Sequence, residues 1–233
     1  MRICVLSDIH GNGAAFREAI HMIKKEAADI NLFLGDLCGY YYSQTEIFEK
    51  ILSLPNLMVC LGNHDQIYLQ IHGGDENLRR RYREAYGHSI EKLLESRDMQ
   101  ILQWLATLQY SCSIPDFNVV AYHGSPWNPL EGYVYPDSQL EPFCDLPHSV
   151  FILGHTHYPM KRTLQGKLVV NPGSLGQPRN SRWPTYALLD LPAQSVTFRE
   201  VLYDRREVLN QISKYDDHNT YLKDVLLRTR GDE

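Results

Sequence analysis

Five times along this chain a short apolar run stops, and side chains able to coordinate a metal or carry a proton follow at once. Ile3-Cys4-Val5-Leu6 leads into Ser7-Asp8-Ile9-His10, Ile30-Asn31-Leu32-Phe33-Leu34 into Gly35-Asp36, and Leu57-Met58-Val59-Cys60-Leu61 into Gly62-Asn63-His64-Asp65. Val119-Val120-Ala121-Tyr122 runs into His123-Gly124, and Val150-Phe151-Ile152-Leu153 into Gly154-His155-Thr156-His157. Runs this short, partly β-branched and bounded by turn formers read as buried strands. Helical spacing between the first three (Ala14 to Ala28, then Thr45 to Leu54, stopped by Pro55) makes the pattern strand–helix–strand. Such alternation predicts an α/β fold with parallel pairing through right-handed crossovers. In an open sheet of that kind the C-terminal strand edges form one crevice, so the five clusters are expected to converge there.

The remainder is less regular. Residues 66–109 turn helical and polar and are expected to form a helical insertion in a single domain spanning 1–233. Arg79, Arg80, Arg81 and Arg83 lie in it, either a solvated helix face or a phosphate-facing cluster. Two hairpin-like pairs follow, over Leu164 to Val170 and Tyr186 to Val201, and one amphipathic helix is expected from Asp204 to Arg228.

The converging groups are two carboxylates (Asp8, Asp36), one amide oxygen (Asn63) and four imidazoles (His10, His123, His155, His157). That is too many for one structural zinc, which takes about four ligands. Two ions sharing a ligand suit the set, and Asp36, with two oxygens, is the natural bridge. Asp8 with His10, and His155 with His157, are two apart, so on extended backbone each pair would project to one side, roughly 6–7 Å apart. Nitrogen and oxygen donors without thiolate fit manganese, iron, zinc or nickel. His64 follows Asn63 directly, and on extended backbone the two point to opposite sides. His64 is therefore expected to carry a proton rather than bind metal, with Asp65 holding its ring. His21, His72, His88, His148 and His218 lack such a context.

The formal net charge of -5 argues against general nucleic-acid binding, and no apolar run approaches membrane-spanning length. Two divalent ions would still make the crevice locally positive, so an anionic substrate is compatible with an acidic chain. The five cysteines are scattered without a CxxC pair, and the N-terminus has no signal-peptide layout. Both suggest reduced thiols in a cytoplasmic protein. Tyr40, Tyr41, Tyr42, Trp127, Tyr133 and Tyr135 follow ligand-bearing strand ends; they either pack the loops or, for some of them, rim the mouth of the site, where aromatic faces can stack on a base or aryl group.

Ser7-Asp8-Ile9-His10-Gly11-Asn12, Gly35-Asp36, Gly62-Asn63-His64-Asp65, His123-Gly124 and Gly154-His155-Thr156-His157 together resemble the five motifs of the calcineurin-like metallophosphoesterases. Gly39-Tyr40 and the run from Asn171 to Arg179 resemble the small bacterial and archaeal branch of YfcE-type phosphodiesterases, although Tyr41-Tyr42 stand where relatives often have Gly-Pro. The resemblance implies an α-β-β-α sandwich of two packed mixed sheets and a dinuclear phosphoesterase acting on small phosphorylated substrates, diesters or monoesters, by attack of a metal-bridging hydroxide. It implies that Asp8, His10, Asp36 and His157 hold one ion and Asp36, Asn63, His123 and His155 the other, manganese by preference. It casts His64 and Asp65 as catalytic, and Asn12, Asn171, Ser174 and Arg179 as substrate contacts. Leu37-Cys38-Gly39, where protein serine/threonine phosphatases carry Asp-Arg-Gly, disfavours that subfamily. A non-enzymatic scaffold on the same fold, a protein phosphatase and a dinucleoside polyphosphate hydrolase are the alternatives.

Overall fold

Strand β1 (Arg2–Leu6) sends Ile3 and Val5 to one face and Cys4 and Leu6 to the other, and all four are fully buried. A strand apolar on both faces needs cover on both. The computed structural model, which describes residues 1–228, supplies it with a second sheet on one side and helices on the other. The chain continues through α1 (Gly13–Glu26), β2 (Ile30–Phe33), α2 (Gln44–Ile51), β3 (Leu57–Val59), α3 (Asn63–His72), α4 (Glu76–Tyr86), α5 (Ser89–Ser96) and α6 (Met99–Thr107). It then forms β4 (Ser111–Ile114), β5 (Val119–Tyr122), β6 (Val150–Leu153), β7 (Pro159–Leu164), β8 (Lys167–Pro172), β9 (Thr185–Asp190) and β10 (Ser195–Glu200). Helices α7 (Arg206–Tyr215) and α8 (Thr220–Leu227) complete it.

The strands divide into two five-stranded mixed sheets, β10-β9-β1-β2-β3 and β4-β5-β6-β8-β7. The two-sheet sandwich implied by the resemblance is therefore present. The single open sheet suggested by strand–helix alternation is not, because β5 and β6 pair with each other and with β8, away from β1 to β3. Period-2 alternation builds the core between the sheets. Ile3, Val5, Leu32 and Leu34 meet Val119, Ala121, Val150 and Ile152 there. The opposite faces of the same strands turn outward, Leu6 and Phe33 under Phe16, Ile20 and Ile47, and Phe151 and Leu153 under Leu140 and Phe143. Three parallel strand ends of one sheet (β1, β2, β3) and two of the other (β5, β6) thus open toward one end of the sandwich.

The single C-terminal helix expected from Asp204 to Arg228 is instead two, interrupted at residues 216–219. The break has a cause in Asp216, whose backbone leaves the helical region (φ -142°). Its buried carboxylate accepts the Tyr42 hydroxyl at 2.5 Å, the His88 backbone N–H at 2.9 Å and His88 Nδ1 at 2.6 Å. One carboxylate thus ties the C-terminal helices to the tyrosine loop and to the α4–α5 turn. Burial alone would raise the Asp216 carboxyl, but the bonds from Tyr42 and His88 outweigh it and hold it below the ordinary carboxylate range. A depressed carboxyl contributes stability above about pH 4 and loses it as pH falls through the folded-state value. Asp216→Asn is therefore expected to cost about 1.5–3 kcal/mol at pH 7, the worth of bonds to a charged group. The difference in melting temperature from the parent should shrink below about pH 4; a gap that stays constant with pH would show that the charge is not what holds this junction.

Candidate metal centre

The loops that carry the candidate ligands leave their strands through backbone that few side chains adopt. Asp8, His10, Asp36, His155 and His157 have φ of 55°, 49°, 61°, 65° and 64°. Asp and His are among the residues found most often in this left-handed region, at a cost of about 1–2 kcal/mol each. The extended backbone expected for Asp8/His10 and His155/His157 is thus absent, and reach along a strand does not set their spacing. Backbone bonds between loops do: Asp8, His10 and Gly11 donate to the carbonyls of Gly35, Asp36 and Leu37, and Gly154 donates to His123. Strain that neighbouring structure holds in place is a frequent mark of a functional site.

The result is a compact buried cluster. Asp8, His10 and His157 bring ligand atoms within 4.8 Å of one another, and so do Asp36, His123 and His155. His10 Nε2 lies 3.6 Å from Asp8 Oδ1, 3.6 Å from Asp36 Oδ2 and 3.1 Å from His157 Nε2. His123 Nε2 lies 3.4 Å from Asp36 Oδ2 and 2.9 Å from Asn63 Oδ1. Asp36 Oδ2 therefore stands between the two groups, while His155 and His157, two residues apart, belong to different ones. Asn63 is the first residue of α3, so the strand-end geometry expected for Asn63 and His64 is in fact a helix start.

Two features of the chain itself test whether a cation fits. Asp8 Oδ1, Asp36 Oδ2 and His155 Nε2 are buried without a hydrogen-bond partner among the described residues. Each such atom costs about 1–3 kcal/mol, so three in one cluster need compensation. In addition, the Nδ1 atoms of His10, His123 and His157 lie 3.0, 2.7 and 2.8 Å from the carbonyls of Cys38, Leu34 and Gln177. A carbonyl can only accept, so each Nδ1 carries a proton and each Nε2 faces the cluster, the backing found behind metal-bound histidines. Ring nitrogens turned in this way toward carboxylate oxygens suit a cation, which would take the place of any proton on Nε2.

The electrostatics agree. Burial would raise Asp8, but His157 and His10 outweigh it and hold it well below the usual carboxylate range. Burial and His123 oppose each other in the same way at Asp36, which also lies low. Burial would lower His123, yet Asp36 raises it to about 9. Burial and then His123 push His155 down to about 4. The centre thus keeps both carboxylates ionised.

Several expected contacts go elsewhere. Asp65 does not hold the His64 ring. Its carboxylate accepts backbone N–H groups of Asp36 at 2.8 Å, Cys38 at 2.9 Å and Gly62 at 3.2 Å, bracing the loop that presents Asp36. Burial and Asp36 raise it to about 6. The partner of His64 is Tyr82 on α4, whose hydroxyl lies 2.8 Å from His64 Nδ1. Burial lowers the His64 imidazole to about 3, with Asp36 opposing. No residue spacing in the sequence marks Tyr82. Its only signal was its seat among the arginines of α4, which themselves form a solvated face, with Arg79 bound to Glu91.

Asn12, Asn171 and Ser174 are fully buried and spent on the scaffold. Asn12 caps α1 through Ala15 N and donates to Gly176 O and Tyr203 Oη. Asn171 donates to Gly154 O and Thr156 Oγ1, and Ser174 donates to Asp8 O. They shape the loops behind the ligands, and none of the three lines the cleft. Of the four expected contacts only Arg179 lines the cleft.

That cleft, about 280 Å³, opens over Asp36, Asn63, His64, His155 and His157. Tyr40, Tyr133 and Tyr135 line it as expected, whereas Tyr41 is fully buried, Tyr42 bonds Asp216 and Trp127 packs on Phe143. Tyr86, Tyr158 and Tyr221 line it too, unannounced by the sequence because they arrive from α4, from the residue after His157 and from α8. Gly39 makes room for this packing. With φ of 112°, it would bring a Cβ to 2.9 Å from both His10 Nδ1 and His64 Nδ1 and 3.2 Å from Tyr82 Oη. Gly39→Ala is expected to lower the melting temperature by about 2–8 °C, for strain of about 1–2 kcal/mol in a chain of this size. It should also reduce hydrolysis more than it reduces the folded fraction; unchanged activity would mean that the histidines tolerate displacement.

Residues 1–194 match the calcineurin-like phosphoesterase superfamily domain. An uncharacterized protein of Methanocaldococcus jannaschii is 28% identical, over 91% of this chain and 92% of that protein. The crystal structure of a hypothetical protein from Pyrococcus horikoshii OT3 superposes with a TM-score of 0.83 at 22% identity, covering 97% of this chain and 98% of the other, a likeness of fold. A symmetrical bis(5'-nucleosyl)-tetraphosphatase of Coxiella burnetii is 24% identical over 70% of this chain, which spans 57% of that protein.

Proposed function

The chain belongs to the calcineurin-like phosphoesterase superfamily, divalent-metal-dependent phosphoester hydrolases, and on that premise we propose that it cleaves small phosphoesters at a dinuclear centre. The observation that carries this reading is Asp36 Oδ2, buried and unpartnered, 3.6 Å from His10 Nε2 and 3.4 Å from His123 Nε2. One carboxylate so seated suits two ions. Asp8, His10, Asp36 and His157 would hold one, and Asp36, Asn63, His123 and His155 the other. The oxygen and nitrogen donor set suits manganese, with iron, zinc and nickel compatible. When bound, the ions supply Lewis-acid polarisation of phosphoryl oxygen and an activated water.

The chain's own groups do the rest. Arg179 offers a guanidinium to the phosphate. With Tyr82 donating to Nδ1, His64 keeps its proton on Nε2 and gives it, as a hydrogen bond or outright, to the departing oxygen. Asp65 serves as a positioning residue for the Asp36 loop. No helix among the described residues is long and apolar enough to cross a membrane, and the proposed location is the cytoplasm. A dinucleoside polyphosphate is the second reading, favoured by the named activity of the Coxiella relative and by the tyrosines around the cleft. The reading is tested by assaying the Mn²⁺-supplied protein against a diester, a monoester, a dinucleoside polyphosphate and a phosphopeptide. Turnover of at least one small phosphoester, lost in chelator, is expected; inactivity on all four would overturn it.

A further inference from the structure

The family match ends at residue 194, yet Tyr221 on α8, beyond that limit, lines the catalytic cleft. It joins Tyr40, which stands 6.3 Å from it between ring centres, and Tyr86, 5.3 Å from Tyr40. This wall adjoins His64, 4.8 Å from Tyr40 and 5.6 Å from Tyr86. A second wall adjoins His155: Tyr133 lies 4.3 Å from it and stacks on Tyr135 at 5.6 Å with an interplanar angle of 4°. Tyr133 and Tyr135 are 58% and 39% exposed, so core packing does not explain them. Arg179 lines the same space, and no ion pair to it forms among the described residues.

We infer that this cleft selects phosphoesters whose organic group is a flat aromatic ring, held against the tyrosines while the phosphate meets Arg179 and the ligand cluster. The inference rests on the phosphoesterase reading and names its substrate class. At about 280 Å³ the cleft is at the small end of ligand sites, room for one ring and its phosphate rather than a polymer segment. Tyrosine faces suit a ring because they bury area at little conformational cost, and stacking is indifferent to which ring is offered. Two sources share this chemistry, a nucleobase and a simple aryl ester.

The test is calorimetric titration of the Mn²⁺-reconstituted protein with three ligands that cannot be hydrolysed: the phosphonate analogue of AMP, phenylphosphonate and methylphosphonate. At least one ring-bearing ligand is expected to bind roughly 5- to 150-fold more tightly than methylphosphonate, the range for stacking one base. In Tyr133→Leu/Tyr135→Leu, and separately in Tyr221→Leu, that ratio should fall several-fold. Preference for the AMP analogue alone assigns a nucleobase, and preference for both assigns any aryl group; either supports the inference. Equal affinity for all three ligands, or a ratio unchanged in both variants, overturns it. Hydrolysis is measured separately, so a protein that prefers rings but hydrolyses no phosphoester would refute the phosphoesterase reading and leave the ring selectivity standing.

Discussion

Dialysis against a chelator is expected to abolish phosphoester hydrolysis, and added Mn²⁺ to restore it. A metal site contributes several kcal/mol of transition-state stabilisation, and about 4 kcal/mol corresponds to a factor near 10³ in rate. Equal rates before and after chelation, with no residual metal by elemental analysis, would end the dinuclear proposal. Asp36→Asn sharpens the test. Its Oδ2 stands within 3.6 Å of the inward nitrogens of both groups, so losing its charge should empty both sites, where loss of one ion alone would show that it does not bridge. In the metal-free protein the same substitution should lower the melting temperature, because it strips the buried counter-charge from His123, which this carboxylate holds up to about 9. An unchanged melting temperature in chelator would show that the pair contributes nothing to the fold without metal.

The second large effect belongs to His64. Proton donation to a departing oxygen is worth about 10²–10⁴-fold, most when that oxygen is strongly basic. His64→Asn is therefore expected to keep both metals while kcat falls steeply for an alkyl ester and little for a nitrophenyl ester. Loss of metal instead would make His64 a ligand, a possibility its nearness to His10 and Asp36 puts to the test. Tyr82→Phe removes the hydroxyl at Nδ1, and with it the bond proposed to keep the proton on Nε2. A supporting bond of this kind is worth about 10–100-fold. The fall should appear in kcat rather than KM and should carry a shifted pH profile; a uniform loss at every pH would mean that Tyr82 only packs.

The seven candidate ligands were legible in the sequence for a local reason. Strand, turn and polar cluster are contiguous, and a short unbroken apolar run makes Ile3, Val5 and Ile152 recognisable as core whatever they pack against. A strand end is a place, and five such ends carry their chemistry with them into the fold. The sandwich of two sheets was legible only through the resemblance, since alternation alone suggests one open sheet and strand pairing is a long-range choice.

Partners were not legible. Asp65 sits next to His64 in sequence, yet its carboxylate turns to three backbone N–H groups because the Asp36 loop arrives beside it in space. Asn12, Asn171 and Ser174 have the right atoms for phosphate, and each spends them on a backbone carbonyl of a neighbouring loop. The left-handed backbone of Asp8, His10, Asp36, His155 and His157 likewise depends on bonds between loops rather than on residue type. Tyr82 reaches His64, and Tyr86 and Tyr221 reach the cleft, because helices far apart in the chain pack beside one another. Residue identity and spacing determine which atoms this chain can offer; only tertiary packing decides which of them meet, because a hydrogen bond or a ring contact is made with a neighbour in space.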